Sequence, residues 1–143
     1  MNKPNTLRAA LVAAIPSLAT DPDKLLVFID NGHVTSTNGA AHAIEYQYVL
    51  NVMLLDFAGD ANAVMFAITQ WVMRYQNDLL ANEDSRKAGI SFEADHLNQS
   101  TVDLSIKLNV TESVTEVTDA AGKKTYASIA DPVPEYNVAS FVV

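Results

Sequence analysis

The segment from Ala43 to Phe57 constrains the fold of this chain more than any other. Ile44, Tyr46, Tyr48, Leu50, Val52 and Leu54 recur at every second position, which places them on one face of an extended strand. Glu45, Gln47, Val49, Asn51, Met53, Leu55 and Phe57 fall on the other. That second face is polar at first and apolar later, so the pattern predicts a strand that begins with one wet face and ends buried on both. Strands usually run about 5–6 residues. One this long requires a bend or bulge, or an end that projects past the core.

The rest of the chain fits round that strand. A helix is expected from about Asn5 to Ile15, with Asn5 or Thr6 as its cap and Pro16 disturbing its end. Leu25 to Ile29 is a short apolar run that reads as a buried strand, closed by the turn residues Asp30-Asn31-Gly32 and then a loop to Ala41. Asp60 can cap a helix whose stripe is Val64, Ile68, Trp71 and Tyr75, widened by Met65 and Val72. A ring the size of Trp71 on such a stripe is expected in the core, with a place at a protein interface as the alternative. Asn82 to Lys87 reads as a polar connection.

Two alternating segments come next, Ile90 to Asp95 and Val102 to Thr111. The turn Leu97–Ser100 joins them, which predicts a hairpin. Val114 to Tyr126 reads as a second, polar hairpin with its loop at Asp119–Gly122, standing away from the core. The last stretch carries Pro132 and Pro134 and then the apolar residues Val138 to Val143. The expected class is α+β: a mainly antiparallel sheet with two helices on one face, a protruding hairpin and an extended C-terminal tail. With 143 residues, one domain is expected, its core about 5–114, its hairpin 114–126 and its tail 131–143.

Composition excludes several functions. There is no cysteine, hence no disulfide, thiolate metal site or cysteine nucleophile. A net charge of −8 with nine scattered basic residues does not suit a nucleic-acid surface. Lys3 and Arg8 before the run Ala9–Ile15 faintly resemble a secretory leader, but Leu7, Leu11, Ala14 and Leu18 lie at helical spacing and an amphipathic helix explains them better. No stretch approaches the roughly 20 apolar residues that span a bilayer. Gly122-Lys123-Lys124-Thr125 lacks the spacing and the subsequent helix of a phosphate loop. No G-x-S-x-G or H-E-x-x-H motif occurs, and His33, His42 and His96 are isolated in sequence. An enzyme reading has to assemble Asp30, Asp56 and His33 in space. No metal or cofactor is expected.

From the long strand outward, the sequence resembles a known family. Ile44-Glu45-Tyr46-Gln47-Tyr48-Val49-Leu50-Asn51-Val52 with Leu55-Asp56-Phe57-Ala58-Gly59-Asp60 is similar to the signature of the GpR family, the tail completion proteins of P-two-like temperate phages with contractile tails. Leu7–Leu11, Asp21–Leu25 and Val27–Gly32 resemble that family's opening. Trp71 with Gln76, Gly89–Ala94, Asp103–Ile106 and Thr111-Glu112 resemble its second half. The likeness covers about residues 5 to 114.

The resemblance implies a virion protein made in the host cytoplasm that caps the head-proximal end of the tail tube. It implies a ring, commonly a hexamer, that stops tube polymerisation and prepares the tail for head joining. The implied partners are further copies of the chain, the tail tube protein and a head-completion or neck protein, with DNA only passing through the pore and no membrane. A neck or head–tail connector is the competing role, and a small metal-dependent hydrolase the remote one. Candidate contact residues are Glu45, Gln47, Val114, Val117, Tyr126, Val138, Phe141 and Val142.

Overall fold

The computed structural model describes residues 1–36 and 42–129. The elements are α1 (Lys3–Ala14), α2 (Pro16–Thr20), β1 (Leu25–Ser36), β2 (Ala43–Phe57), α3 (Ala61–Tyr75), α4 (Glu83–Ala88), β3 (Ile90–His96), β4 (Val102–Thr118) and β5 (Lys124–Ile129). Short 3₁₀ turns cover Pro22–Lys24 and Asn77–Leu80. The strands form one antiparallel sheet in the order β1-β2-β4-β3. β5 pairs β4 at Ser113–Thr118, and β2 holds the opposite edge of β4 as far as Thr115. β3 and β5 therefore share one edge of β4, at its two ends.

One face of β2 and β4 makes the core. Leu50 pairs Leu108, Val52 pairs Ile106, Leu54 pairs Leu104, and all six are buried. Leu7 and Leu11 of α1 join the same core, as do Val64, Ile68, Trp71 and Val72 of α3. Each such side chain contributes roughly 1.5–3 kcal/mol on burial. The Asp60 carboxylate caps α3 by accepting from the Asn62 amide at 2.8 Å. Trp71 is buried as expected, and its indole N–H donates to Thr6 Oγ1 at 3.0 Å, tying α3 to α1.

Two bulges set which residues face the core. At Asp56 (φ 50°) β2 carries one residue more than β4 between Leu54 and Phe57. This reverses the alternation and brings Phe57 to the core face, where it is buried. A strict period of two places Phe57 on the opposite face, which is otherwise only half-buried at Met53 and Leu55. The strand therefore does not end dry on both faces. A second bulge sits in β1 at Asn31 (φ 50°), between the pairs Asp30–Val49 and His33–Gln47.

Other expectations also need correction. Leu25–Ile29 is not a short buried strand. β1 runs on to Ser36, and only Leu25 is buried, because β1 is an edge strand with β2 on one side. Asp30-Asn31-Gly32 bends that strand instead of ending it. Asn82–Lys87 lies largely within helix α4, capped by Asn82 Oδ1 accepting from the Ser85 amide at 2.8 Å. Pro16 begins a helix, since a missing N–H is harmless in a first turn. The Val114–Tyr126 hairpin continues β4 without a break, and its loop is held by Asp119 Oδ1 accepting from Ala121 and Lys123. The loop expected from Gly32 to Ala41 is strand as far as Ser36, and its residues 37–41 lie outside the described residues.

The N-terminus of α1 is seated on the sheet by buried polar groups. α1 starts at Lys3, two residues before the expected cap, and neither Asn5 nor Thr6 caps it. Its cap comes from β4. Glu112 Oε1 accepts from the amides of Asn2 (2.7 Å) and Lys3 (3.0 Å), while Oε2 accepts from the Tyr48 hydroxyl at 2.7 Å. A carboxylate suits the positive end of a helix. Lys3 Nζ donates to Gln76 Oε1 and to the Thr111 carbonyl, both at 2.6 Å. Gln76 Oε1 also accepts from the Thr111 amide at 3.1 Å. Lys3, Gln76, Glu112 and Tyr48 are each at most 9% exposed.

Burial, then the bond to Glu112, pushes the Tyr48 phenol far above its ordinary pKa. The hydroxyl thus stays a donor wherever the protein is folded. Removing the Glu112 carboxylate strands one buried amide, one part-buried amide and this hydroxyl, so Glu112→Ala is expected to lower unfolding free energy by about 3–5 kcal/mol in urea titration. Tyr48→Phe removes one bond to a charged acceptor and is expected to cost about 1.5–3 kcal/mol. A phenol whose pKa is raised by folding stabilises fully below its unfolded pKa, and that contribution falls as pH rises past about 10. Tyr48→Phe is therefore expected to flatten the alkaline limb of the pH–stability curve.

Candidate functional site

The sheet outruns its helices. Past the first turn of α1, the core face of the sheet continues across β1, β2, β4 and β5 with pairs Ser36–Ile44, Ile44–Val114 and Val114–Ser128. There it floors an open groove of about 690 Å3. Its described lining includes Ile44, Tyr46, Val114, Glu116 and Tyr126, with Met1 and Asn2 contributing from the α1 side. Asn2 Nδ2 donates to Ser128 Oγ at 3.2 Å and links the start of α1 to β5. Tyr126, opposite Glu116, is 67% exposed.

The expected contact residues divide between two faces. Val114 and Tyr126 meet in the groove. Glu45, Gln47 and Val117 lie on the reverse face, by the strict alternation of the β2–β4 and β4–β5 registers. There Gln47 Oε1 contacts His33 Nε2 at 2.7 Å, and Gln47 Nε2 donates to Glu45 Oε1 at 2.7 Å. Val117 is 54% exposed. Val138, Phe141 and Val142 lie outside the described residues.

Sequence reasoning misses Ile44 and Tyr46 as groove residues. Their parity with Val114 is readable only once β2 and β4 are known to pair. Exposed aromatics elsewhere are Phe28 on β1, Phe66 on the outer side of α3 and Phe92 on β3.

Asp30, His33 and Asp56 are not brought together. Asp30 accepts from Asn51 Nδ2 at 3.0 Å, and His33 is engaged with Gln47. Asp56 lies 3.8 Å from Lys24 Nζ, and its amide donates to Asp103. Asp30 pairs Val49, seven residues from Asp56 along β2, which is about 23 Å of strand. Among the described residues no group of three or more His, Asp or Glu side chains is placed to hold a metal ion. No helix among them is long and apolar enough to cross a membrane.

Fold and site together define a class: a small α+β domain with a curled antiparallel sheet, long edge strands and an open, partly apolar groove. The chain belongs to the P2 phage tail completion protein R (GpR) family, whose model matches residues 1–134. Tail completion protein R of Escherichia phage P2 is 38% identical over 134 residues, which cover 94% of this chain and 86% of that protein. The likeness thus runs beyond the expected 5–114, through the β4–β5 hairpin. No solved structure matches the chain.

The groove-rim Tyr126 packs little surface within its own chain. Tyr126→Ala is therefore expected to change the urea midpoint by no more than about 0.5 kcal/mol equivalent. A loss of tail assembly by that variant, read by electron microscopy of a complemented lysate, separates surface function from folding.

Proposed function

We propose that this chain completes the phage tail by capping the head-proximal end of the tail tube as a closed ring of identical subunits. The carrying observation is its membership of the tail completion family over residues 1–134. The role needs no catalytic centre. A cap works by presenting one face that fits the tube and no further site for a tube subunit.

The fold supplies suitable surfaces. A closed ring needs a heterologous contact, in which one surface of a subunit meets a different surface of the next. β1 is an edge strand of 12 residues, and β3 and β5 lie at the other side of the sheet. Backbone groups on such edges can pair between subunits. Val117, with Glu45 and Gln47 behind it, offers a reverse-face patch for the tube or the neighbouring subunit. A net charge of −8 keeps the ring from gripping DNA that passes through it.

The test is a phage or prophage lysate lacking this protein. Tails of uncontrolled length without heads are the expected result. Tails of normal length without heads assign the chain to the head–tail connection instead.

A further inference from the structure

The groove lies beside the point where the described chain stops. β5 ends at Ile129, opposite Ser113. The edge of β4 beyond that pair is filled at Thr111, whose carbonyl accepts from Lys3 Nζ and whose amide donates to Gln76 Oε1. Ser128, one residue before that end, is part of the groove wall. Pro132 and Pro134 come soon after, and their fixed φ, with the restriction on the residue before each, favours an extended spacer. Residues 130–137 in that form span about 25 Å. Beyond them come Val138, Ala139, Phe141, Val142 and Val143, with Ser140 the one polar residue among them.

We propose that the groove floored by Ile44, Tyr46 and Val114 receives the Val138–Val143 segment of a neighbouring copy. This rests on the ring reading above and names the contact that joins its subunits. A groove of about 690 Å3 is the size that encloses a few side chains. Phe141 is the natural anchor against Tyr46 and Tyr126, since aromatic pairs add attraction beyond their buried area. In that extended form the spacer is long enough to reach a neighbouring subunit, and the ring reading makes the neighbour's groove the one it fills. Arm exchange of this kind multiplies a modest contact round a closed ring.

The chain has no cysteine, so the contact can be read by disulfide capture. Val114→Cys and Val142→Cys are made in separate full-length chains, mixed and oxidised, with Tyr126→Cys as an alternative groove position. Phe66→Cys, exposed on α3, serves as control. The expected result is a linked Val114→Cys/Val142→Cys pair, on the order of tenfold or more above the Phe66→Cys/Val142→Cys pair, since docking raises effective concentration. Capture only within one chain carrying both substitutions overturns the neighbour assignment. No capture above control at either groove position, with light scattering showing an oligomer, overturns the inference and leaves the ring standing. No capture with a monomer at all concentrations overturns both.

Discussion

A carboxylate from the far half of β4 lies under the first turn of α1, and the rest of the architecture depends on it. α1 has no acidic residue in its first turn and no side-chain cap of its own. Glu112 supplies both, from a strand 109 residues further along the chain. The same carboxylate accepts from Tyr48 on β2, so one group joins the helix to the two central strands. Beside it, Lys3 and Gln76 bond the backbone of Thr111 on the stretch of edge between β3 and β5. That edge would otherwise carry buried, unpaired backbone groups, which are costly. The plug also decides where the sheet changes partners: β3 stops before it and β5 after it.

The bulges at Asn31 and Asp56 do complementary work. Both residues adopt positive φ, which Asn and Asp tolerate better than most side chains. Asp56 turns the last residue of β2 inward, so Phe57 closes the core at the end where α3 begins. Asn31 takes up one residue in β1, so that Val34 pairs Tyr46 and Ser36 pairs Ile44 on the groove side. A strict alternation in either strand would put the wrong face forward at one end.

Much of this is legible in the sequence, and the failures share a cause. β2, α3, the β3–β4 hairpin and the Asp119–Gly122 loop are set by local patterns: a period of two, a helical stripe, a capping Asp, a tight turn. These pull in the same direction as the tertiary structure. The cap of α1 is misread because the true partner, Glu112, is remote in sequence, while Asn5 and Thr6 look adequate locally. Thr6 in fact donates to the Lys3 carbonyl and accepts from Trp71. Phe57 is misplaced because one bulge residue inverts parity and nothing in a period of two announces it. The buried appearance of Leu25–Ile29 comes from its apolar content, yet an edge strand can show Leu26 and Phe28 to solvent. The groove is half legible: Val114 and Tyr126 stand out in the sequence, but their companions come from strand pairing, which is a property of the fold and not of a segment.

The long strand that first constrains the fold also explains why a groove exists. A helix rises about 1.5 Å per residue and a strand about 3.3 Å. The 15 residues of α3 therefore cover about 22 Å, while the 17 residues of β4 extend about 56 Å. One layer of helices of this length cannot roof such a sheet. Their apolar stripes are spent on Leu50–Leu54 and Leu104–Val110, and Glu112 marks where that cover ends. Beyond it the same face carries Ile44, Tyr46 and Val114 in the same alternation, still patterned as if something were to lie on them. A chain that needed only to fold would stop its strands at Glu112 or turn polar there. Here Ile44, Tyr46 and Val114 carry the apolar face past the helices before Glu116 and Ser128 turn it polar, which gives the groove an apolar floor with polar walls.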